Sequence, residues 1–138
     1  MRKLGIDYGD ARVGIAITDP LNITAQGLET IQRNNSDKVV LRRLDEILEE
    51  YEVDTLVVGM PYNLKGEKTV RAEKTEQFIH KLKCKYNKLK IEIIDERLTT
   101  VAAHKTMNFL DINKNKKRDI VDTISAVYIL ETYINKKY

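Results

Sequence analysis

Cysteine and histidine are nearly absent from this chain, and the two shortages remove several kinds of chemistry at once. Cys84 is the sole cysteine, so no internal disulfide can form and a reducing compartment fits. It stands in a lysine-rich run, read as having no histidine nearby, which argues against a catalytic thiol. The two histidines, His80 and His104, stand alone without metal-ligand spacing and read as structural or surface residues on helices. No apolar run approaches the length of a membrane span. Met1-Arg2-Lys3 leads straight into a strand-like run with no signal-peptide core. These absences point to a cytoplasmic protein with no membrane partner. No repeat, low-complexity tract or linker marks a boundary, so the 138 residues read as a single domain large enough for a real core.

An excess of one sign of charge is also lacking, with 24 Lys and Arg against 21 Asp and Glu. The net charge is +3, too little to mark a nucleic-acid binder by itself. The distribution says more. Lys81, Lys83, Lys85, Lys88 and Lys90 crowd one stretch, and Lys114, Lys116, Lys117 and Arg118 another. Such clusters can contact phosphates, although a solvated lysine-rich face explains either cluster alone equally well.

Hydrophobic periodicity supplies the elements. Residues 3–8 read as a strand, Gly9-Asp10 as a turn, and residues 12–18 as a second strand ended by Asp19-Pro20. A weaker edge strand spans 23–31. Asn35 or Ser36 can cap a helix to about Tyr51, with Val40, Leu44, Ile47, Leu48 and Tyr51 on one face. Residues 53–60 form a continuous apolar strand, as expected for one buried on both faces. A loop over 61–66 precedes a helix over about 68–86, with Val70, Phe78, Ile79 and Leu82 as its stripe. Residues 89–94 form the fifth strand. Thr99 or Thr100 caps a short helix to about Leu110, residues 111–117 form a lysine-rich loop, and residues 118–135 form the last helix. The fold class is therefore α/β, a five-stranded mixed sheet flanked by helices. Helical crossovers make the fourth and fifth strands parallel to each other and to the first, so their C-terminal ends share one edge. Ligands in open sheets favour that edge.

Acids gather at the same edge. Asp7 ends the first apolar run in GIDYGDARVGIAITD, sharing a strand face with Lys3 and Gly5 by alternation. Gly9 lets the backbone bend immediately after it. Asp95 and Glu96 end the fifth strand in IIDERLTT, on opposite faces, and parity does not choose which one meets Asp7. The other can pair with Arg97. Asp122 heads an apolar stripe continued by Ala126, Ile129 and Tyr133, where an unpaired charge would be costly. Asp119, one turn earlier, reads as a helix-start acid. Converging carboxylates repel unless a cation neutralises them or a pKa rises. Oxygen ligands suit Mg²⁺ or Mn²⁺ rather than zinc. Two such ions roughly 3.5–4 Å apart could activate water and stabilise the leaving oxygen in phosphodiester hydrolysis. Arg12, Asn63, Arg97, Lys116, Lys117 and Arg118 are the candidate nucleic-acid contacts.

These strings resemble a known family. IDYGDARVGIAITDP, VVGMPYNLKG, DERLTT and DIVDTISAVYILETY, in that order, are similar to the YqgF/RuvX-like proteins, the Holliday-junction-resolvase-like or pre-16S ribosomal RNA nucleases. The resemblance covers nearly the whole chain. It implies a ribonuclease H-like fold, a metal-dependent nuclease acting at the 5′ end of precursor 16S rRNA during ribosome biogenesis, and Asp7, Glu96 and Asp122 as catalytic acids and metal ligands. Related resolvases carry an acid at the end of the strand beside the first. Here that strand ends Gly59-Met60-Pro61-Tyr62-Asn63, without one, so the second acid comes from Asp95 or Glu96.

Three rival functions remain open at this point. Asp-x-Gly between two strands also resembles the first phosphate loop of the actin and sugar-kinase superfamily, but such proteins need a second similar domain. A non-catalytic RNA-binding assembly factor would keep the fold without the chemistry. A Holliday junction resolvase would act on branched DNA and would normally be a dimer, whereas no obvious dimer helix is exposed and a monomer or weak dimer is expected.

Overall fold

Alternating apolar residues build one sheet with two very different faces. The computed structural model describes residues 1–63, 65–96 and 114–135, with the side chains of 114–122 excepted. β1 (Arg2–Tyr8) and β2 (Arg12–Thr18) pair antiparallel, and β3 (Ala25–Gln32) adds antiparallel to β2. α1 (Asp37–Glu50) returns the chain so that β4 (Val53–Met60) lies parallel to β1. α2 (Val70–Lys85) does the same for β5 (Lys90–Asp95), parallel to β4. The strand order is β3-β2-β1-β4-β5, and α3 (Lys114–Ile134) packs mainly on β2, β3 and β1.

The expected mixed sheet and its parallel trio are present, and Ser36 is the α1 cap, accepting from Lys38 N–H at 3.3 Å. Two expectations fail. Val70 is not part of the α2 stripe; it lies at the first helical position and is 70% exposed, while Ala72 and Thr75 take the buried places. Residues 114–117 are not a loop. They form the first turn of α3, because lysine is a good helix former and neither glycine nor proline interrupts the run to Ile134. The short helix expected up to Leu110, with His104, lies outside the described residues.

One sheet face is built of large side chains. Leu4, Ile6, Tyr8, Ile15, Ile17, Leu56 and Val58 meet Val40, Leu44 and Ile47 of α1 and Phe78 and Leu82 of α2. Each such burial contributes roughly 1.5–3 kcal/mol. At the rim of this layer the Tyr8 ring stacks on Phe78, with centroids 4.2 Å apart. Its hydroxyl donates to Asp37 Oδ1 at 2.5 Å, an oxygen that Arg33 Nε also reaches at 2.8 Å, while Lys81 Nζ donates to Oδ2 at 2.7 Å. Burial first, and Asp37 second, push the Tyr8 hydroxyl pKa up and keep it a donor.

The other face is built of small ones. Ala16 and Val57 meet Ala126, Ile129 and Leu130 of α3. A Cβ added at Gly5 would lie 2.8 Å from the Ala126 carbonyl oxygen and 2.7 Å from Leu130 Cγ, and one at Gly27 would collide with Thr123. The missing side chains let the helix backbone settle directly on the strands.

Gly5→Ala should therefore destabilise the protein by about 1–3 kcal/mol through overpacking against helix backbone. Val70→Ala should change stability by less than about 0.5 kcal/mol, as for an ordinary surface site. Urea unfolding of the two variants, with unchanged m-values, measures the contrast.

Candidate functional site

The C-terminal ends of β1, β4 and β5 meet at one edge, and two carboxylates are buried there. Asp7 lies on the α3-facing side of β1. Its partner across β2 is Gly14, and on the other side the β1–β4 register, with Ile6 opposite Val58, brings Gly59 level with it. Gly59 in turn pairs with Ile94 of β5. Glu96 stands just past the end of β5, two residues after Ile94. Its side chain lies over Gly59: a Cβ on that glycine would sit 2.6 Å from Glu96 Cγ, 2.9 Å from Cδ and 2.5 Å from Ile129 Cδ1. Glu96 thus crosses a side-chain-free strand to reach Asp7. Asp95, in register with Met60, alternates to the opposite face.

The pair is dry. Asp7 is 7% and Glu96 5% exposed. Burial above all pushes the Asp7 carboxyl well above the usual carboxylate range, reinforced by a hydrogen bond to Glu96 and by its charge. The Arg71 guanidinium opposes the shift, but its Nη2 stays 3.9 Å from Asp7 Oδ1, beyond hydrogen-bond reach. Asp7 Oδ1 is buried and has no hydrogen-bond partner among the described residues. Such an oxygen normally has one.

The other expected site residues divide by place. Arg12 opens β2, and its carbonyl accepts Gly9 N–H at 3.0 Å, closing the turn after Asp7. A Cβ at Gly9 would lie 2.6 Å from that same oxygen. Asn63 Oδ1 accepts from Lys65 and Glu67 N–H, so it organises its own loop. Asp122 lies on α3 one turn before Ala126, whose carbonyl borders Gly5. The side chains of Asp119, Asp122, Lys116, Lys117 and Arg118, and all of Arg97, lie outside the described residues. Among the described residues no three His, Cys, Asp or Glu side chains are grouped to hold a metal; Asp7 and Glu96 supply two oxygen donor groups. His80 Nε2 lies 3.6 Å from Cys84 Sγ, contrary to the expectation of a thiol without a histidine nearby. The spacing of four residues on one helix brings them together. Arg71 escaped sequence reasoning, and its one signal was a position in the first turn of the helix after β4.

The comparisons with known proteins fit this geometry. The RuvX family model, described as Holliday junction resolvase, matches residues 1–136. The chain belongs to the RuvX family. It is 52% identical over 136 residues to a protein of Ruminiclostridium cellulolyticum (99% of this chain, 95% of the other). A protein of Acetivibrio thermocellus is 51% identical over 137 residues (99% and 97%). Both relatives carry the name "Putative pre-16S rRNA nuclease", and RuvX is a family of nucleases. Among solved structures, Thermus thermophilus RuvC in complex with Holliday junction substrate superposes with a TM-score of 0.59 at 12% identity (96% of this chain, 94% of that one). The fowlpox virus Holliday junction resolvase gives 0.60 at 14% (97% of each). These likenesses establish the ribonuclease H-like fold of this RuvX chain. Among the described residues no helix is long and apolar enough to cross a membrane.

The raised Asp7 pKa sets a pH dependence. The native state holds its proton more tightly than the unfolded chain, so this group lowers stability as pH rises from the usual carboxylate range through the native pKa. Without divalent cations, Asp7→Asn should raise Tm at neutral pH, and the difference should shrink toward zero below about pH 4, the unperturbed range. Thermal melts from pH 3 to 8 in a chelating buffer measure it.

Proposed function

We propose that this RuvX protein hydrolyses phosphodiester bonds in structured RNA and processes the 5′ end of the 16S rRNA precursor. In this reading Asp7, Glu96 and Asp122 are the catalytic acids and the ligands of Mg²⁺ or Mn²⁺. The carrying observation is the buried Asp7–Glu96 pair with an orphaned Asp7 oxygen. Oxygen donors held dry and close repel one another and are relieved by a hard cation, so the residues present fit such an ion. When bound, divalent cations supply activation of water and stabilisation of the leaving oxygen.

The chain's own residues do the rest. The strand ends and Gly59 hold the two acids at fixed separation, and α3 covers them on one side. In this reading Arg12, Asn63, Arg97, Lys116, Lys117 and Arg118 supply donors and positive charge for the phosphate backbone. The substrate is suggested by the names of the relatives at 52% and 51% identity. The protein acts in the cytoplasm as a single domain, monomeric or weakly dimeric.

A second reading follows from the description of the family itself, Holliday junction resolvase, in which branched DNA replaces RNA at the same acids. Incubating the protein with labelled 5′-extended 16S precursor, and separately with a labelled four-way junction, in Mn²⁺ distinguishes the two. We expect RNA cleavage that falls at least roughly 100-fold in Asp7→Asn, Glu96→Gln and Asp122→Asn, since even partners behind metal ligands cost about 10- to 100-fold. Equal cutting by all four proteins would remove the trio from the chemistry. RNA binding without cutting would favour a non-catalytic assembly factor.

A further inference from the structure

The β4–α2 crossover delivers a cation to the acid edge that touches the acid pair only as a long ion pair, Arg71 Nη2 to Asp7 Oδ1 at 3.9 Å. Thr69 caps α2, its hydroxyl accepting Ala72 N–H at 3.2 Å. Ala72 is fully buried, and the buried Thr75 hydroxyl donates to the Arg71 carbonyl at 2.9 Å. The root of Arg71 is therefore pinned. Its head is not: the side chain is 51% exposed, and its one ion pair among the described residues, to Asp7 Oδ1, spans 3.9 Å from Nη2. Its neighbours differ. Lys68 pairs with Glu76 at 2.6 Å and Lys74 with Asp10 at 3.5 Å.

A guanidinium within 4 Å of a buried carboxylate would ordinarily close to a two-pronged contact, because paired hydrogen bonds are the geometry it favours. This one stops at 3.9 Å, with half of its side chain exposed beside the acid edge. We propose that Arg71 binds the non-bridging oxygens of the phosphodiester being cleaved. The inference rests on the nuclease reading and adds to it the group that grips the reacting phosphate from the α2 side. The fork presents two N–H donors to one phosphate, and charge that builds on those oxygens during hydrolysis meets a fixed positive partner. Arg71 is then a catalytic residue acting on substrate, and the 3.9 Å gap is the clearance that keeps it from being locked onto Asp7.

The test compares wild type, Arg71→Ala and Arg71→Lys on an oligoribonucleotide carrying the 5′ extension of the 16S precursor. Single-turnover cleavage in Mn²⁺ and binding in Ca²⁺ across a salt series are measured. Arg71→Ala should lower the cleavage rate at saturating RNA by about 100-fold, the loss typical of one charge-stabilising donor. It should also flatten the slope of log K against log salt by about 0.7, one single-strand phosphate contact, with Tm unchanged. Arg71→Lys should restore the salt slope but little of the rate, since a point charge lacks the fork. Wild-type rate and slope in Arg71→Ala would overturn the proposal. So would a loss accompanied by a fall in Tm that lysine does not repair in the slope, which would mark a structural role. If wild type binds RNA but does not cut, the nuclease reading fails and Arg71 is judged on the slope alone: a fall supports phosphate contact and no change overturns it. Absence of both binding and cutting overturns both readings.

Discussion

The missing side chains around Asp7 are the constraint on which the rest of the site depends. Gly14 on one side and Gly59 on the other flank it, so no neighbour on its face competes for the space. Gly59 matters most, because Glu96 occupies the volume its Cβ would fill. The same economy continues along the face at Gly5, Ala16 and Gly27, where α3 lies against the sheet. One pattern of small residues thus does two jobs. It seats the helix that carries Asp122, and it opens a lane through which an acid two strands away reaches the first strand.

That lane has an electrostatic cost. Two carboxyl groups held nearly without water favour keeping a proton between them, which is the direction Asp7 takes. The fold supplies the opposing charge only weakly, since Arg71 stops short of a hydrogen bond. Stability taken alone would favour an amide or an apolar residue at position 7. A chain that keeps the acid there tolerates local instability at this strand edge, a trade-off characteristic of functional sites.

Much of this was legible in the sequence. The strands were, because period-two alternation and Gly or Pro punctuation are strong local signals; β2 and β4 have the expected bounds, and the other described elements before α3 lie within two residues of expectation. Asp7 at a strand exit was legible for the same reason. The choice between Asp95 and Glu96 was not, because it depends on the β4–β5 register and on the empty position at Gly59, both of which are tertiary. An absent carboxylate after β4 read as a gap, whereas the glycine is what admits Glu96. The start of α3 was misread because lysine clusters signal solvent contact in loops and helices alike. Arg71 was invisible, since nothing local separates it from the other cations at the start of α2.

Tyr8 immediately follows Asp7 and faces the other way, into the network of Asp37, Arg33 and Lys81. The last residues of a strand are where a sheet usually frays. Here α1, α2 and Arg33 just after β3 grip the penultimate peptide from behind, through a residue that never touches the Asp7 face. The entropy of fixing the Asp7 backbone is therefore spent when the chain folds rather than when a ligand arrives. The aim of the acid is inherited from the opposite side of the sheet, and a lesion at Asp37 would reach it as blurred alignment rather than as lost charge.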